Sequence, residues 1–299
     1  MSAPEFFAVD TGEVTLNCAA LGAPGKPLVI CLHGFPEYWA AWRAVMEALC
    51  KDFRLVAPDQ RGFNLSSKPE GVDSYRARHM VADLDKLAEQ LSPDQPFVLA
   101  GHDWGASVAY AYAFARPERV SHLIIANGVH PAVFQRAIFE DEGQRAASQY
   151  INTLRAEGAE ARMAADGYRR TLRMIEGFSK TDWMTPETRS EYVAAWSQPG
   201  AMTAMLNWYR ASPIIVPEPG APSEESFVLT LPDEAVAVRM PHLVLWGEDD
   251  EALRPACVEG LPRYAPSLVV RRVPGAGHWI LHEKPALVAQ AIREFVATG

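Results

Sequence analysis

The sequence predicts an α/β protein: a mostly parallel central sheet flanked by helices, interrupted by an all-helical insertion. Three observations carry that expectation. Short apolar runs alternate with helical patterns as far as Ala126. From His130 to about Arg210 the sequence reads as helices only, and strand-like runs then return at Leu243 to Trp246. Alternation of this kind marks parallel strands, whose connections need a crossover helix.

Strand patterns begin at Phe6 to Val9 and Val14 to Ala20, with Thr11-Gly12 as the turn, and continue at Leu28 to Leu32 and Arg54 to Pro58. Helical patterns fall at Ala40 to Leu49 and Ala77 to Leu91. The runs Phe97 to Ala100 and Val120 to Ala126 read as strands, with a helix from Ser107 to Ala115 between them. Within the insertion, Thr185-Pro186-Glu187 supplies a cap, a first-turn Pro and an acid at the positive end of the helix dipole. The Pro- and Gly-rich stretch Pro213 to Ser226 leads back to the strands, and an amphipathic helix covers Pro285 to about Val296. The expected organisation is a core over 1–129, a helical cap over 130–225 and a return to the core over 226–299. No internal repeat or low-complexity segment stands out.

A chain of 299 residues with 48% apolar content can bury a large core. A formal charge of −9 and a pI near 5.4 argue against nucleic acid or an anionic membrane surface as partner. The start Met1-Ser2-Ala3-Pro4-Glu5 lacks the basic and apolar stretches of a signal peptide, and no run approaches the roughly 20 apolar residues of a membrane span. Cys18, Cys31, Cys50 and Cys257 are scattered without a C-x-x-C pair, so neither metal site nor disulfide framework is implied. The expectation is a cytoplasmic protein without cofactor or metal, monomer or homodimer.

The most informative residues are Gly101-His102-Asp103-Trp104-Gly105. A strand running into G-x-nucleophile-x-G and then a helix forms the nucleophile elbow of the α/β-hydrolase fold. Asp stands here at the nucleophile position. A carboxylate with a reference pKa of about 3.9 is ionised at neutral pH and needs no base to attack. Its attack on an ester would give a mixed anhydride without advantage over direct hydrolysis. Displacement at an sp³ carbon bearing an epoxide oxygen or a halide gives an alkyl ester instead, which water must release. The plainer alternative is a turn with a helix-capping Asp.

Other residues argue against that alternative. His278 lies in the Gly-rich turn Gly275-Ala276-Gly277-His278, after the apolar segment Leu268-Val269-Val270. Glu248-Asp249-Asp250 follows the run His242 to Trp246, which gives the chain order nucleophile, acid, His that the fold requires. His278 has no proton to take from Asp103, so it is free to activate the hydrolytic water. Asp250 is favoured over Asp249 as the acid that orients it, and Glu248 is expected in solvent. After Leu123 to Ala126, where an alternative acid could stand, the chain has Asn127-Gly128. His33-Gly34-Phe35-Pro36 ends another strand, where the N–H of Phe35 could join that of Trp104 as an oxyanion hole. His102 is expected to brace the loop; His79, His122 and His282 are expected to be structural or solvent-facing.

The segments HGFPEYWAAWR (33–43), APDQRGFNLSSKP (57–69), GHDWG (101–105), LNWYR (206–210), WGEDD (246–250) and GAGHW (275–279) together resemble the epoxide hydrolase branch of the α/β-hydrolase superfamily. The resemblance covers nearly the whole chain. It implies Asp103 as nucleophile, His278 as base, Asp250 as charge-relay acid, and Phe35 and Trp104 as oxyanion donors. It also implies Tyr209, and Tyr150 as its partner, as donors to the epoxide oxygen. The implied substrate is a small apolar epoxide with water as co-substrate. One departure is Gly62-Phe63-Asn64, where the family often has Gly-Tyr-Gly.

An epoxide oxygen leaves as an alkoxide and needs a proton, which a phenol can lend. A halide needs only N–H donors. Haloalkane dehalogenases of this fold usually have Asn at the position of Phe35, and fluoroacetate dehalogenases typically have Arg at that of Trp104, so both alternatives lose a specific part. A third alternative, a silent binding scaffold, would be expected to lack a member of the triad. Trp39, Trp104, Trp183, Trp208, Phe134, Phe139 and Met205 are available to line an apolar pocket, with Trp39 and Trp208 assigned to it. Tyr168 and Tyr192 are expected to be core or interface residues.

Overall fold

A computed structural model describes residues 3–298. Among them, eight strands form one sheet: β1 (Glu5–Asp10), β2 (Thr15–Leu21), β3 (Leu28–Leu32), β4 (Arg54–Pro58), β5 (Phe97–His102), β6 (Val120–Ala126), β7 (His242–Gly247) and β8 (Leu268–Val273). Their spatial order is β1-β2-β4-β3-β5-β6-β7-β8. The pairings β1–β2 and β2–β4 are antiparallel, and every pairing from β4 to β8 is parallel. The predicted α/β class and mostly parallel sheet are what the chain adopts.

Sequence explains which strands sit in the middle. All six residues of β5 and of β7 are buried, as suits parallel strands covered on both faces. At the edge, β8 is Leu-Val-Val-Arg-Arg-Val, with Val269 and Val270 exposed and Arg271 paired to Glu294. Charge on an edge strand discourages pairing with another chain.

Helices α1 (Arg43–Leu49), α2 (Ala77–Leu91) and α3 (Trp104–Ala115) belong to the first half. The helix expected over Ala40 to Leu49 is in two pieces, a 3₁₀ turn at Trp39–Trp42 whose four residues are all buried, and then α1. After β6 come α4 (Pro131–Glu140), α5 (Glu142–Ala147), α6 (Gln149–Arg155), α7 (Ala159–Gly177), α8 (Pro186–Trp196) and α9 (Ala201–Ala211). This helical insertion contains no strand. Thr185 caps α8 by accepting from the N–H of Thr188 at 3.2 Å. Inside α7 the backbone leaves the helix at Ala165–Tyr168, where Asp166 and Gly167 take left-handed φ of +52° and +65°. The short α10 (Phe227–Thr230) precedes β7, and α11 (Ala256–Glu259), α12 (Ile280–Glu283) and α13 (Pro285–Ala297) complete the chain.

Two features place the site. From β3 the chain steps to β4 on one side and then crosses to β5 on the other, so the loops leaving β3 and β5 diverge. That divergence is the topological switch point at which open α/β sheets bind ligands. The insertion lies over the loops that follow β3 and β4 at this end of the sheet. Trp196 Nε1 donates to Pro36 O at 2.6 Å, Trp208 Nε1 to Arg61 O at 3.0 Å, and the Tyr192 hydroxyl to Glu37 Oε1 at 2.8 Å. Each buried polar tip thereby finds a partner and fixes the insertion over the carboxyl ends of the strands.

Candidate active site

Asp103 is the single residue between β5 and α3, with φ +50° and ψ −121°. Holding a non-glycine residue there costs about 1–3 kcal/mol, which the buried strand and helix on either side sustain. Close approach explains two glycines nearby. A Cβ on Gly105 would overlap the backbone oxygen of Leu32, and one on Gly34 would overlap the Asp103 carboxylate. Without side chains at either position, α3 packs onto β3 and the loop after β3 reaches the carboxylate.

That loop brings the N–H of Phe35 to Asp103 Oδ1 at 2.7 Å. The other oxygen, Oδ2, faces His278 Nε2 at 3.6 Å. His278 Nδ1 meets Asp250 Oδ2 at 2.9 Å. Asp250, fully buried at its side chain, is held from every direction. Its Oδ1 accepts the N–H groups of Ala252 and Leu253 at 2.8 and 2.9 Å, and its Oδ2 also accepts Asn127 Nδ2 at 2.7 Å. Asp249 and Glu248 are exposed. The chain thus brings Asp103, His278, Asp250 and Phe35 together from the ends of β5, β8, β7 and β3.

Electrostatics follows from this packing. Burial alone would drive the imidazolium of His278 to release its proton, but the carboxylates of Asp250 and Asp103 outweigh burial and push its pKa up to about 10. Burial also opposes ionisation of Asp250, and His278 with the surrounding donors nevertheless holds its pKa below the usual carboxylate value. Burial raises Tyr209 and Tyr150 well above an ordinary phenol, with the Asp103 charge adding to the shift, so both keep their protons at neutral pH.

Both tyrosines line one small cavity with Asp103, of about 30 Å³. Tyr209 comes from α9 and stands edge-on to Phe35 and Trp104, at 5.0 and 5.1 Å between ring centroids. Tyr150, from α6, lies 6.3 Å from the Tyr209 ring. Trp208 is also at the site, with its ring edge-on to Trp104 at 6.1 Å. Trp39 is not. It packs edge-on against Phe6 of β1 at 5.3 Å and under the Arg43 guanidinium, and its backbone N–H is bonded to Asp59 Oδ1 at 3.0 Å. Its assignment to the pocket is therefore corrected. Trp183 stacks on His282 at 3.7 Å.

Asn127 and Asn64 carried no assigned role in the sequence, and His102 was expected to brace the loop. Asn127, noted there only as a missing carboxylate, donates to Asp250 and accepts the N–H of Gly247 at 2.8 Å. Its signal was the Asn-Gly pair at a strand end. His102 Nε2 meets the backbone oxygen of His278 at 2.8 Å and so ties the elbow to the loop of the base. Asn64, the departure from Gly-Tyr-Gly, takes a left-handed φ of +39° and donates to Asp59 Oδ2 at 2.8 Å. Asn tolerates that conformation better than most residues, so the loop survives the change. Among the described residues no group of His, Cys, Asp or Glu is arranged to hold a metal, and no helix is long and apolar enough to cross a membrane.

Comparison with known proteins agrees with this architecture. The family described as alpha/beta hydrolase fold matches residues 27–285, and the chain belongs to it. A Bacillus subtilis (strain 168) protein, AB hydrolase superfamily protein YfhM, is 37% identical over 290 residues, covering 96% of both chains. Among solved structures, an epoxide hydrolase from metagenomes of hot environments superposes with a TM-score of 0.88 at 35% identity, covering 99% of both chains. The Bacillus megaterium epoxide hydrolase in complex with an inhibitor gives 0.84 at 30% identity, covering 98% of this chain and 100% of that one. Within its superfamily the chain falls in the epoxide hydrolase branch.

Proposed function

We propose that this protein hydrolyses an epoxide to a vicinal diol through an alkyl ester on Asp103. The observation that carries the reading is the pairing of a carboxylate with two protonated tyrosines around one small cavity. A halide would have no use for the phenolic protons. The insertion over 130–225 acts as a cap that supplies these tyrosines.

Asp103 Oδ1 is already engaged by the Phe35 N–H, so Oδ2 is the attacking atom. Its lone pair forms a bond to one epoxide carbon while that carbon's bond to oxygen breaks. The departing oxygen takes a proton from Tyr209 or Tyr150. Water, deprotonated by His278 Nε2, then attacks the ester carbonyl carbon. The negative charge collects on Oδ1, where the Phe35 N–H stands and the Trp104 N–H assists. Collapse of this intermediate releases the diol, whose leaving oxygen takes the proton left on the new carboxyl group, and His278 keeps the proton taken from water, which restores its resting charge. Net consumption is one water.

The charge pattern also orders the two steps. Alkylation turns Asp103 into a neutral ester and removes one of the two charges that keep His278 protonated. The imidazolium thereby gives its proton to the tyrosinate left by ring opening and becomes a base only when there is an ester to hydrolyse. A panel of aryl and aliphatic epoxides, haloalkanes and fluoroacetate tests the assignment. Diol formation from epoxides, without comparable halide release, is the expected outcome. Halide release with no diol would overturn it.

A further inference from the structure

Helix α3 is apolar nearly all round and buried on most of its surface, yet Trp104, Ser107, Ala111 and Phe114 are only partly covered. Their spacing of three, four and three places them on one helical face. That face borders a second cavity, of about 190 Å³, beneath the insertion. Pro131 and Phe134 of α4, Trp208 and Ala211 of α9, and Val228 of α10 border it as well. It shares a wall with the small cavity at Asp103, formed by Trp104, Ser107, Val129, Phe134 and Ile214. None of its lining residues is charged, and the tips of Tyr75 and Trp208 are already bonded to Pro69 O and Arg61 O.

Building on the epoxide reading, we infer that this chamber holds the substrate's tail, and that the enzyme selects epoxides with one large, uncharged apolar substituent. The epoxide sits at Asp103 and the substituent passes beside Ser107, the smallest side chain of the shared wall. A dry apolar cavity of roughly 150 Å³ holds a benzene, so this chamber takes a medium alkyl chain or an aryl group. Ala111 sets its depth, because a larger side chain there would project from α3 into the space. A carboxylate at the far end of the tail would lose its water and find no cation, which is strongly unfavourable.

The test compares the terminal epoxides of butane, hexane and octane with octanoate carrying the same terminal epoxide. Each buried methylene is worth about fourfold, so kcat/KM should rise on the order of 10²-fold from butane to octane. The octanoate derivative should fall about 100-fold or more below the octane epoxide. In Ala111→Phe the octane-to-butane ratio should collapse to within about fivefold, which is less than two methylenes' worth. Ala111→Leu should give an intermediate ratio, and it serves if the Phe variant does not melt cooperatively. Calorimetric binding of octanol, which cannot react, reads the chamber independently of chemistry, and the Phe variant should bind it at least about tenfold more weakly. If no epoxide is turned over while octanol binding still depends on residue 111, the epoxide reading fails and the chamber's role as an apolar ligand site stands. A flat chain-length series in the wild type, or octanol binding indifferent to both variants, overturns the inference.

Discussion

His278 Nε2 stands 3.6 Å from Asp103 Oδ2, while its other nitrogen is bonded to Asp250 at 2.9 Å. The imidazole is tethered to the acid and held just off the carboxylate it faces. The separation is beyond a good hydrogen bond, yet at such a distance two charges in a buried site interact strongly. Much of the expected behaviour follows from that spacing.

His278→Gln should still form the alkyl-enzyme and fail to release it, since the base acts only on the hydrolytic water. Rapid mixing should show a burst of epoxide consumption near one equivalent without matching diol. Continued diol production at the wild-type rate would exclude His278 as the base.

The same charge relationship fixes a pKa difference. Removing the Asp103 charge leaves burial and Asp250 acting alone on His278, so its pKa must fall below the resting value of about 10. NMR titration of the His278 ring in wild type and in freshly prepared Asp103→Asn should show a lower midpoint in the variant. Equal midpoints would mean that Asp103 does not hold the base protonated.

Asp103→Ala should lower turnover by roughly 10⁴-fold or more, since no other group replaces a covalent nucleophile. Folding should survive, because the elbow side chain contributes little to the core. Circular dichroism melting checks the fold and diol formation checks the chemistry. Retention of more than a few per cent of activity would contradict the covalent route.

Tyr209→Phe and Tyr150→Phe should each slow alkylation by an epoxide, on the order of 10²-fold or more for one lost donor. The double variant should lose epoxide turnover almost entirely. Any side activity on a bromoalkane should suffer much less, because bromide departs without a proton. Equal losses on both substrates would mean that the tyrosines only shape the pocket.

Much of the fold was legible because backbone geometry demands particular residues. Gly105 is required where α3 touches β3, and the continuous apolar runs of β5 and β7 mark strands covered on both sides. The positions of Asp103, His278 and Asp250 were legible for a related reason, since each follows a strand end. What escaped depends on long-range packing. Nothing local in Tyr38-Trp39 says that the indole turns towards Phe6 of β1, away from the site. Asn127 serves Asp250 across 123 residues of sequence. The left-handed stretch in α7 was signalled by Asp166-Gly167, which a reading for helical periodicity passed over.

The central claim is that the diol's new oxygen comes from Asp103 and only later from water. A single turnover in heavy-oxygen water, with enzyme in excess over epoxide, reads this directly by mass spectrometry. The first diol should leave unlabelled, and the peptide containing Asp103 should carry the label. Label in the first diol with none in that peptide would mean that water attacks the epoxide directly, and the covalent account would be wrong.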